Sequence, residues 1–600
     1  MGAALSEAEP ALAAQLSLPS ISTTASGKLW RLREADEDAA EKIAREQNLD
    51  HLIARALSAR GVKPEFAAKY LNPSLKDSLP DPYVLADMER AAETAADAIQ
   101  SGRNIGVFGD YDVDGTTAAS LLYLFFRELG RDVPVYLPDR ILEGYGPSAS
   151  AFSKLKEAGA ELVFTVDCGA AAEDAIKAAA REGLDIIVLD HHLMHGPPPA
   201  NARAVVNPNR ADDRSGLNDL SAAGVAVMFM VALNRVLRER GFYAGREEPH
   251  LLRYLDLVAL GLVCDVMPMT GLARVLTAQG LRILGSGGNQ GLRSLGARAG
   301  MKGNPSTYHL GFLLGPRINA AGRIGSAQLA FDLMTTPDND KRALLAEKLH
   351  LMNAERQEVE AQVQADAISI ISGSEIERDE VIVVAGEGWH PGVVGIVAGR
   401  LKEIYGRPAV VIGLEGDIGK GSGRSISGVD LGRAIASLKN DGQLISGGGH
   451  AMAAGLTIAR DEVDALRAAL NATIGEEARI ARQNQSLLID AVVSPLAISA
   501  RTAFAIDKAG PFGPGNTEPV FTLTDLRAAD CKLVGGAHLS VRLESRTGEI
   551  FRAIAFRAEG EPLGEILRAK ERFHVAGRIK RDDWRGGEAG QLQIVDAARP

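Results

Sequence analysis

The chain of 600 residues is 46% hydrophobic and 24% charged, which is ordinary for a globular protein with several cores, and its length fits three or four domains. No apolar run approaches the ~18 residues that a bilayer span needs, the start lacks the layout of a secretory signal, and three cysteines without pairing motifs (Cys168, Cys264, Cys531) suit a reducing cytoplasm and give no cysteine-based zinc site. The net charge of −11 argues against a uniformly basic nucleic-acid binder, but residues 481–600 hold 17 Lys and Arg against 15 Asp and Glu, a net +2 that leaves −13 elsewhere, so local grooves for a polyanion remain open.

Residues 1–80 read as a leader followed by short helices. Over 81–335, short Val/Ile-rich runs alternate with helical stretches: "NIGVF" (104–108), "VPVYL" (133–137), "ELVFTV" (161–166), "LDIIVL" (184–189) and "ARAVV" (202–206). Continuous apolar runs of this length are the pattern of parallel strands buried on both faces, which predicts an α/β doubly wound sheet. Residues 336–375 contain one long connector helix, predicted over 338–371, with Leu345, Leu349, Met352, Val359, Val363, Ala367 and Ile370 on its packed face and Arg356 interrupting them. A smaller α/β domain follows at 376–480, with strands at 381–386 and 408–413, a helix from about Gly392 to Tyr405, and helices after Gly428 and Gly449. Residues 481–600 show five short alternating segments, which predict a five-stranded oligonucleotide-binding barrel.

Carboxylates crowd the first sheet. "GVFGDYDVDGTTAA" places Asp110, Asp112 and Asp114 directly after one strand. Asp167 follows "ELVFTV", and Asp190, His191 and His192 follow "LDIIVL". In a parallel sheet all of these strand ends lie along one edge, where ligands bind. Asp265 closes another apolar run, "LVALGLVCDVMPM", read as a further strand end, and can reach the same place. One such Asp alone is as readily a helix N-cap. Together they would repel strongly without cations, and a set of oxygens and imidazoles suits Mn²⁺ or Mg²⁺ better than zinc. The number of ligands fits a pair of divalent cations, the arrangement used for phosphoryl displacement.

The motifs "GDYDVDG", "TVDCG", "LDHH" and "CDV" resemble, in order, those of the DHH phosphoesterases. "LGPRINAAGRIGSA" (314–327), "GWHPGVVGIVAGRL" (388–401), "GSGRSISGVDL" (421–431), "SGGGHAMAAG" (446–455) and "FGPGNTEPVF" (512–521) narrow the resemblance to the RecJ family of single-strand-specific DNA exonucleases, over residues 80–600. The resemblance implies a metal-bearing DHH domain, the connector, a DHH-associated domain and the barrel. It implies that Asp112 and Asp167 hold one cation with Asp110 nearby, and that Asp114, Asp167, His191 and Asp265 hold the other. It further implies 5′→3′ hydrolysis of single-stranded DNA to 5′-mononucleotides in repair and recombination. His192 would contact the scissile phosphate and could protonate the leaving oxygen, and Asp190 would orient it.

In the second domain, "GDIGKGSGRS" reads as a glycine-rich loop with Ser422, Arg424 and Ser425, and "GGGH" is predicted to open a helix at His450, both suited to a phosphate. Arg317 and Arg323 either hold DNA phosphates or form internal ion pairs. Gly395 and Gly399 are read as close-packing positions. Barrel aromatics Phe551, Phe556, Phe573 and Trp584 are either base-stacking surfaces or core. The expected partners are single-stranded DNA, a single-strand-binding protein and a helicase, with the chain a cytoplasmic monomer. The alternatives are a DHH phosphodiesterase of short oligonucleotides or cyclic dinucleotides, against which the extra barrel speaks, and a non-catalytic DNA-binding scaffold, which should have lost ligands.

Overall fold

The computed structural model describes residues 17–194, 196–582 and 586–600. The chain forms two compact units, residues 75–482, and the residues up to 74 together with 483–600.

The first unit begins with a five-stranded sheet, β1 (Ile105–Gly109), β2 (Val135–Tyr136), β3 (Leu162–Val166), β4 (Asp185–Leu189) and β5 (Ala204–Val206), in the order β2-β1-β3-β4-β5 with every pair parallel. Helices cover both faces, as the apolar runs require. On one side α1 (Met88–Ser101), α2 (Val113–Glu128), α5 (Ala222–Glu239) and α6 (Leu255–Cys264) enclose Val107, Phe164 and Ile187. On the other, α3 (Ala149–Glu157) and α4 (Glu173–Arg181) enclose Phe108, Val163 and Ile186. The strand order reverses between β1 and β3, which opens a crevice at their carboxyl ends.

One run differs from expectation. "LVALGLVC" is not a strand. It forms helix α6, buried through Leu262, with Asp265 as its C-cap. A helix surrounded by core is apolar on every side and lacks the period that would separate it from a buried strand.

After α7 (Gly315–Ile324) comes the connector α8 (Asn339–Ile371), capped by Asp338, whose carboxylate accepts from the N–H groups of Asp340 and Lys341. Its buried stripe includes the predicted interruption: Asn353, Arg356 and Glu360 are buried and bonded to one another, and Ile371 rather than Ile370 faces inward. The second sheet comprises β6 (Ile382–Glu387), β7 (Ala409–Glu415), β8 (Ile418–Arg424), β9 (Ser446–His450) and β10 (Ala453–Ala459), in the order β9-β10-β8-β7-β6. Only β6 and β7 are parallel. Helix α9 (Pro391–Tyr405) and α10 (Leu431–Asn440) accompany it.

Two expectations fail here. "GDIGKGSGRS" is not a loop, since it carries central strand β8. A Cβ on Gly421 would lie 2.9 Å from an Ile412 methylene, and one on Gly423 would lie 2.5 Å from a Leu431 methyl. These glycines make room for aliphatic neighbours rather than for a turn. "GGGH" likewise opens no helix, because it is edge strand β9, paired with β10 through Gly448–Gly455.

In the second unit the five predicted strands are present as β11 (Phe521–Val534), β12 (His538–Glu544), β13 (Ile550–Ala555), β14 (Phe573–Arg581) and β15 (Gly590–Arg599). They pair β11-β12-β13-β15-β14 and close through β14 on β11, with β13 and β15 parallel. The N-terminal helices belong to this unit. Leu52 and Ile53 enter the barrel core beside Phe521 and Val541, and Arg60 pairs at 2.7 Å with Asp490, which is also within 3.5 Å of Arg33. Phe551 and Phe573 are buried, Phe556 is exposed with its ring edge-on to His538, and Trp584 lies outside the described residues.

Candidate metal centre

The crevice between β1 and β3 collects the predicted acids. Asp112 is the N-cap of α2 and accepts from Gly115 N–H at 3.0 Å. Asp114 is buried in the first turn of α2 and accepts from the N–H groups of Ala222 at 2.6 Å and Ala223 at 3.2 Å. The start of α5 thereby orients this carboxylate and favours its charge. A Cβ on Gly261 would stand 2.3 Å from Asp114 Oδ1, so α6 can approach only because that residue has no side chain. Asp167 leaves β3 with φ +64°, a left-handed conformation tolerated by Asp and typical of functional turns.

His191 joins the two flanks of the cluster. Its Nε2 lies 3.2 Å from Asp167, 3.4 Å from Asp265 and 3.9 Å from Asp114. Donor atoms of Asp110, Asp112 and Asp167 converge within 4.8 Å of one another, and so do those of Asp114, His191 and Asp265, with Asp167 also grouped with His191 and His192. Asp265 reaches the cluster from a helix C-terminus, whose negative dipole end adds to the attraction for cations.

The electrostatics call for positive charge. Asp110 and Asp167 are pushed well above the ordinary carboxylate range, by burial first and by neighbouring carboxylates second. The same causes raise Asp114 to about 7 and Asp265 to about 8. Burial lowers His191 to about 4, which leaves it neutral and able to ligate. Asp110 Oδ1 is buried and accepts no hydrogen bond. An orphaned buried oxygen within a set of oxygens and one imidazole is what a Mn²⁺ or Mg²⁺ pair would satisfy.

His192 and Asp190 stand beside the ligands. His192 Nδ1 is 2.8 Å from Asp190 Oδ1, while Asp190 also accepts from the N–H groups of Ala170, His191 and His192. Burial lowers His192, but the hydrogen bond and charge of Asp190 outweigh it and the ring rests at about 9. Asp190 stays ionised at about 2, because burial is outweighed by the hydrogen bond and charge of His192.

Four residues here were not singled out from the sequence. The Tyr145 hydroxyl donates to the Asp167 carbonyl at 3.1 Å and lies 3.1 Å from His192 Nδ1. The side-chain amides of Asn207 and Asn209 donate to the carbonyls of His192 and His191. Asn207 directly follows β5, so the strand-end rule would have found it. Arg140 lies over the Tyr111 ring at 4.7 Å, in a loop that carries no such signal.

The expected phosphate ligands separate into groups. Arg424 Nη1 donates to Ser422 Oγ at 3.1 Å, on the β8 face towards α9, where a Cβ on Gly395 would meet Ser422 Oγ at 2.9 Å. Gly395 is therefore a close-packing position, whereas a Cβ on Gly399 would meet nothing within 4 Å. Arg323 donates to the Gly392 carbonyl at 2.8 Å. Burial and the charges of Arg140, Arg356 and Arg424 lower it to about 9, while Asp112 pulls the other way, so a cationic group adjoins the acidic one. Arg317 is bonded to His350 and to the Leu313 carbonyl, not to a carboxylate. Ser425 is fully buried and donates to the Val429 carbonyl at 2.7 Å, a structural bond that turns it away from a ligand. His450 is exposed on edge strand β9.

A doubly wound domain with this cluster at its switch point, joined by a long helix to a mixed sheet, defines a DHH phosphoesterase. The DHH family N-terminal domain matches residues 104–262, the DHHA1 domain 378–476 and the RecJ OB domain 489–596. The single-stranded-DNA-specific exonuclease RecJ of Dickeya dadantii is 36% identical over 91% of this chain and 96% of its own. That of Escherichia coli is 34% identical over 95% and 99%. The crystal structure of RecJ in complex with Mn²⁺ from Thermus thermophilus superposes with a TM-score of 0.80 at 28% identity, covering 95% of this chain and 80% of that one. A Mg²⁺ complex of the same protein gives 0.74. The chain belongs to the RecJ family of single-stranded-DNA-specific exonucleases.

Proposed function

We infer that this chain is a metal-dependent exodeoxyribonuclease that hydrolyses single-stranded DNA from its 5′ end to 5′-mononucleotides. The observation that carries the reading is the pair of ligand groups, Asp110/Asp112/Asp167 and Asp114/His191/Asp265, converging on one crevice. Asp110, Asp112 and Asp167 would hold one divalent cation and Asp114, Asp167, His191 and Asp265 the other. When bound, the pair supplies Lewis-acid activation of water and neutralisation of charge on the phosphate.

The remaining chemistry belongs to side chains. Asp190 keeps His192 protonated at neutral pH, so His192 can hydrogen-bond the scissile phosphate and give its proton to the departing 3′ oxygen. The backbone N–H groups on Asp190 and the amide of Asn207 on the His192 carbonyl fix the ring. Arg424 with Ser422, and Arg323, supply cations for backbone phosphates, and a terminal 5′ phosphate at Arg424 would give the polarity. The barrel contributes sequence-independent strand affinity, with Phe556 its exposed stacking ring among the aromatics considered. No helix among the described residues is long and apolar enough to cross a membrane. This reading carries a cytoplasmic monomer that works with a single-strand-binding protein and a helicase.

End-labelled single- and double-stranded DNA incubated with Mn²⁺, Mg²⁺ or chelator tests the reading. Mononucleotide release from 5′-labelled single strands, abolished by chelator, is expected. Internal cuts, or equal rates on duplex, would refute it.

A further inference from the structure

Helix α6 ends on a Schellman motif. Met267 N–H donates to the Leu262 carbonyl at 3.0 Å, Val266 N–H donates to the Val263 carbonyl at 3.2 Å, and Asp265 is the C-cap. The residue after the cap in such a motif takes a left-handed backbone conformation, and glycine is the usual choice. Here it is Val266, at φ +59°. A β-branched side chain is among the least suited to that region. Its packing does not compensate, because Val266 is 67% exposed. The hydrophobic contact that usually accompanies the motif falls to Met267, which packs against the domain core.

Val266 directly follows Asp265, whose carboxylate lies 3.4 Å from His191 Nε2. A second exposed aliphatic side chain, Leu193, is 60% exposed and directly follows His192. Apolar groups thus stand in solvent one residue from an otherwise charged cluster, and one of them is held in strained backbone. Strain of this kind persists where it serves a function.

We propose that Val266 is a substrate-contact residue whose methyl groups bear on the sugar and base edge of the nucleotide being cut. This rests on the exonuclease reading. With its divalent cations bound, the cluster would hold the phosphate by charge, which fixes position but not rotation. An apolar contact on the nucleoside fixes the rotation, and it is independent of sequence because every deoxyribose offers the same carbon face. A nucleotide so oriented presents its 3′ oxygen to His192 in one geometry.

The test compares the full-length wild type with Val266→Gly and Val266→Ala in Mn²⁺, measuring thermal midpoint, kcat/KM on single-stranded DNA, and hydrolysis of methyl p-nitrophenyl phosphate, a diester without a nucleoside. Val266→Gly relieves the backbone, so its midpoint should equal or exceed that of the wild type. Val266→Ala keeps the left-handed L-residue and loses only the methyl contacts. Both variants should lose about tenfold or more in kcat/KM on DNA while hydrolysing the small diester at the wild-type rate. Wild-type DNA kinetics in Val266→Gly, or equal loss on both substrates, would overturn the proposal. So would a lowered midpoint in Val266→Gly, which would mean that the side chain packs within the protein. A wild-type chain that leaves DNA intact fails the exonuclease reading itself, and the proposal falls with it.

Discussion

His192 and Asp190 form a 2.8 Å imidazole–carboxylate pair at the end of β4, and three backbone N–H groups converge on the same carboxylate. A carboxylate so satisfied holds a neighbouring ring in one orientation and favours its protonated form. Asp190→Asn should therefore lower kcat by about ten- to a hundredfold, the range for losing a partner that orients a site residue, with little change in KM for DNA or in Mn²⁺ affinity. Steady-state kinetics with a Mn²⁺ titration checks this. A large loss of metal affinity would place Asp190 among the ligands instead.

Asp167 is grouped with Asp110 and Asp112 and also with His191 and His192, and it sits in left-handed backbone that Asn also tolerates. Asp167→Asn should reduce DNA hydrolysis by on the order of a thousandfold or more. Without metal the same variant should be more stable than the wild type, because one buried member of a mutually repelling set has lost its charge. Ions that bind only the folded state raise its melting temperature, so Mn²⁺ should stabilise the wild type and leave Asp167→Asn nearly unmoved. Thermal scans with and without Mn²⁺ read both effects.

Arg424→Ala separates recognition of the end from recognition of the strand. A lost charge-assisted phosphate contact is worth ~1.5–3 kcal/mol, or roughly ten- to a hundredfold in kcat/KM. That loss should appear on 5′-phosphorylated DNA and be much smaller on 5′-hydroxyl DNA. Equal loss on the two substrates would assign Arg424 to an internal phosphate.

The convergence of Asp110, Asp167 and His191 is legible in the sequence because a parallel sheet places every strand's carboxyl end on one edge. Asp265 comes to the same crevice from the end of a helix instead of a strand, a difference hidden in the sequence because a fully buried helix and a buried strand share one apolar texture. The glycine-rich strand β8 has the local pattern of a loop because the cause of its glycines, the bulk of Ile412 and Leu431, lies elsewhere in the chain. For Ser425 the reason is local, since its hydroxyl is committed to a carbonyl four residues on, a bond that a run of Ser and Gly does not announce. Association of the N-terminal helices with the barrel left no local trace at all, because it is made by contacts more than 400 residues apart, such as Arg60 with Asp490.

Asp256, buried at the start of α6, the opposite end of the helix from Asp265, supplies a pH signature. Burial raises it to about 6, against the pull of the Asn289 and Leu257 N–H groups. Its folded pKa lies above the unfolded value, so the folded state holds the proton more tightly. Stability is greatest below the unfolded pKa of ~4, falls as pH rises through about 6, and is flat beyond. Asp256→Asn carries no charge at any pH. Its stability relative to the wild type should therefore improve by about 1–3 kcal/mol between pH 4.5 and pH 7.5, whatever constant offset the altered hydrogen bonds add. Denaturation midpoints of both proteins at the two pH values give the slope, and a flat difference would show that Asp256 titrates normally.

The barrel and the N-terminal helices should stand or fall together. Asp490 is buried, accepts from Val520 N–H at 2.9 Å, and pairs with Arg60 at 2.7 Å. Arg55 is also buried, bonded to the Asp490 carbonyl and to Glu37. Removing residues up to 74 would take away these guanidinium groups together with Leu52 and Ile53, leaving Asp490 charged without its cations and the barrel core open. Breaking one partner from a buried pair typically costs 3–5 kcal/mol, a large share of a small domain's stability of roughly 5–15 kcal/mol. A chain of residues 75–600 should thus show a barrel unfolded or strongly destabilised, and Arg60→Ala a milder loss of the same kind. A cut at residue 483 alone would strand the N-terminal helices, so the informative fragment is 75–482. It contains every proposed metal ligand and should fold, bind Mn²⁺ and cleave short oligonucleotides, but lose activity on long single strands as salt rises, since the barrel's cationic and stacking contacts are absent. Circular dichroism and sedimentation establish folding before kinetics are read. A folded 75–482 fragment that matched the full chain on long strands across a salt series would remove the barrel from the mechanism.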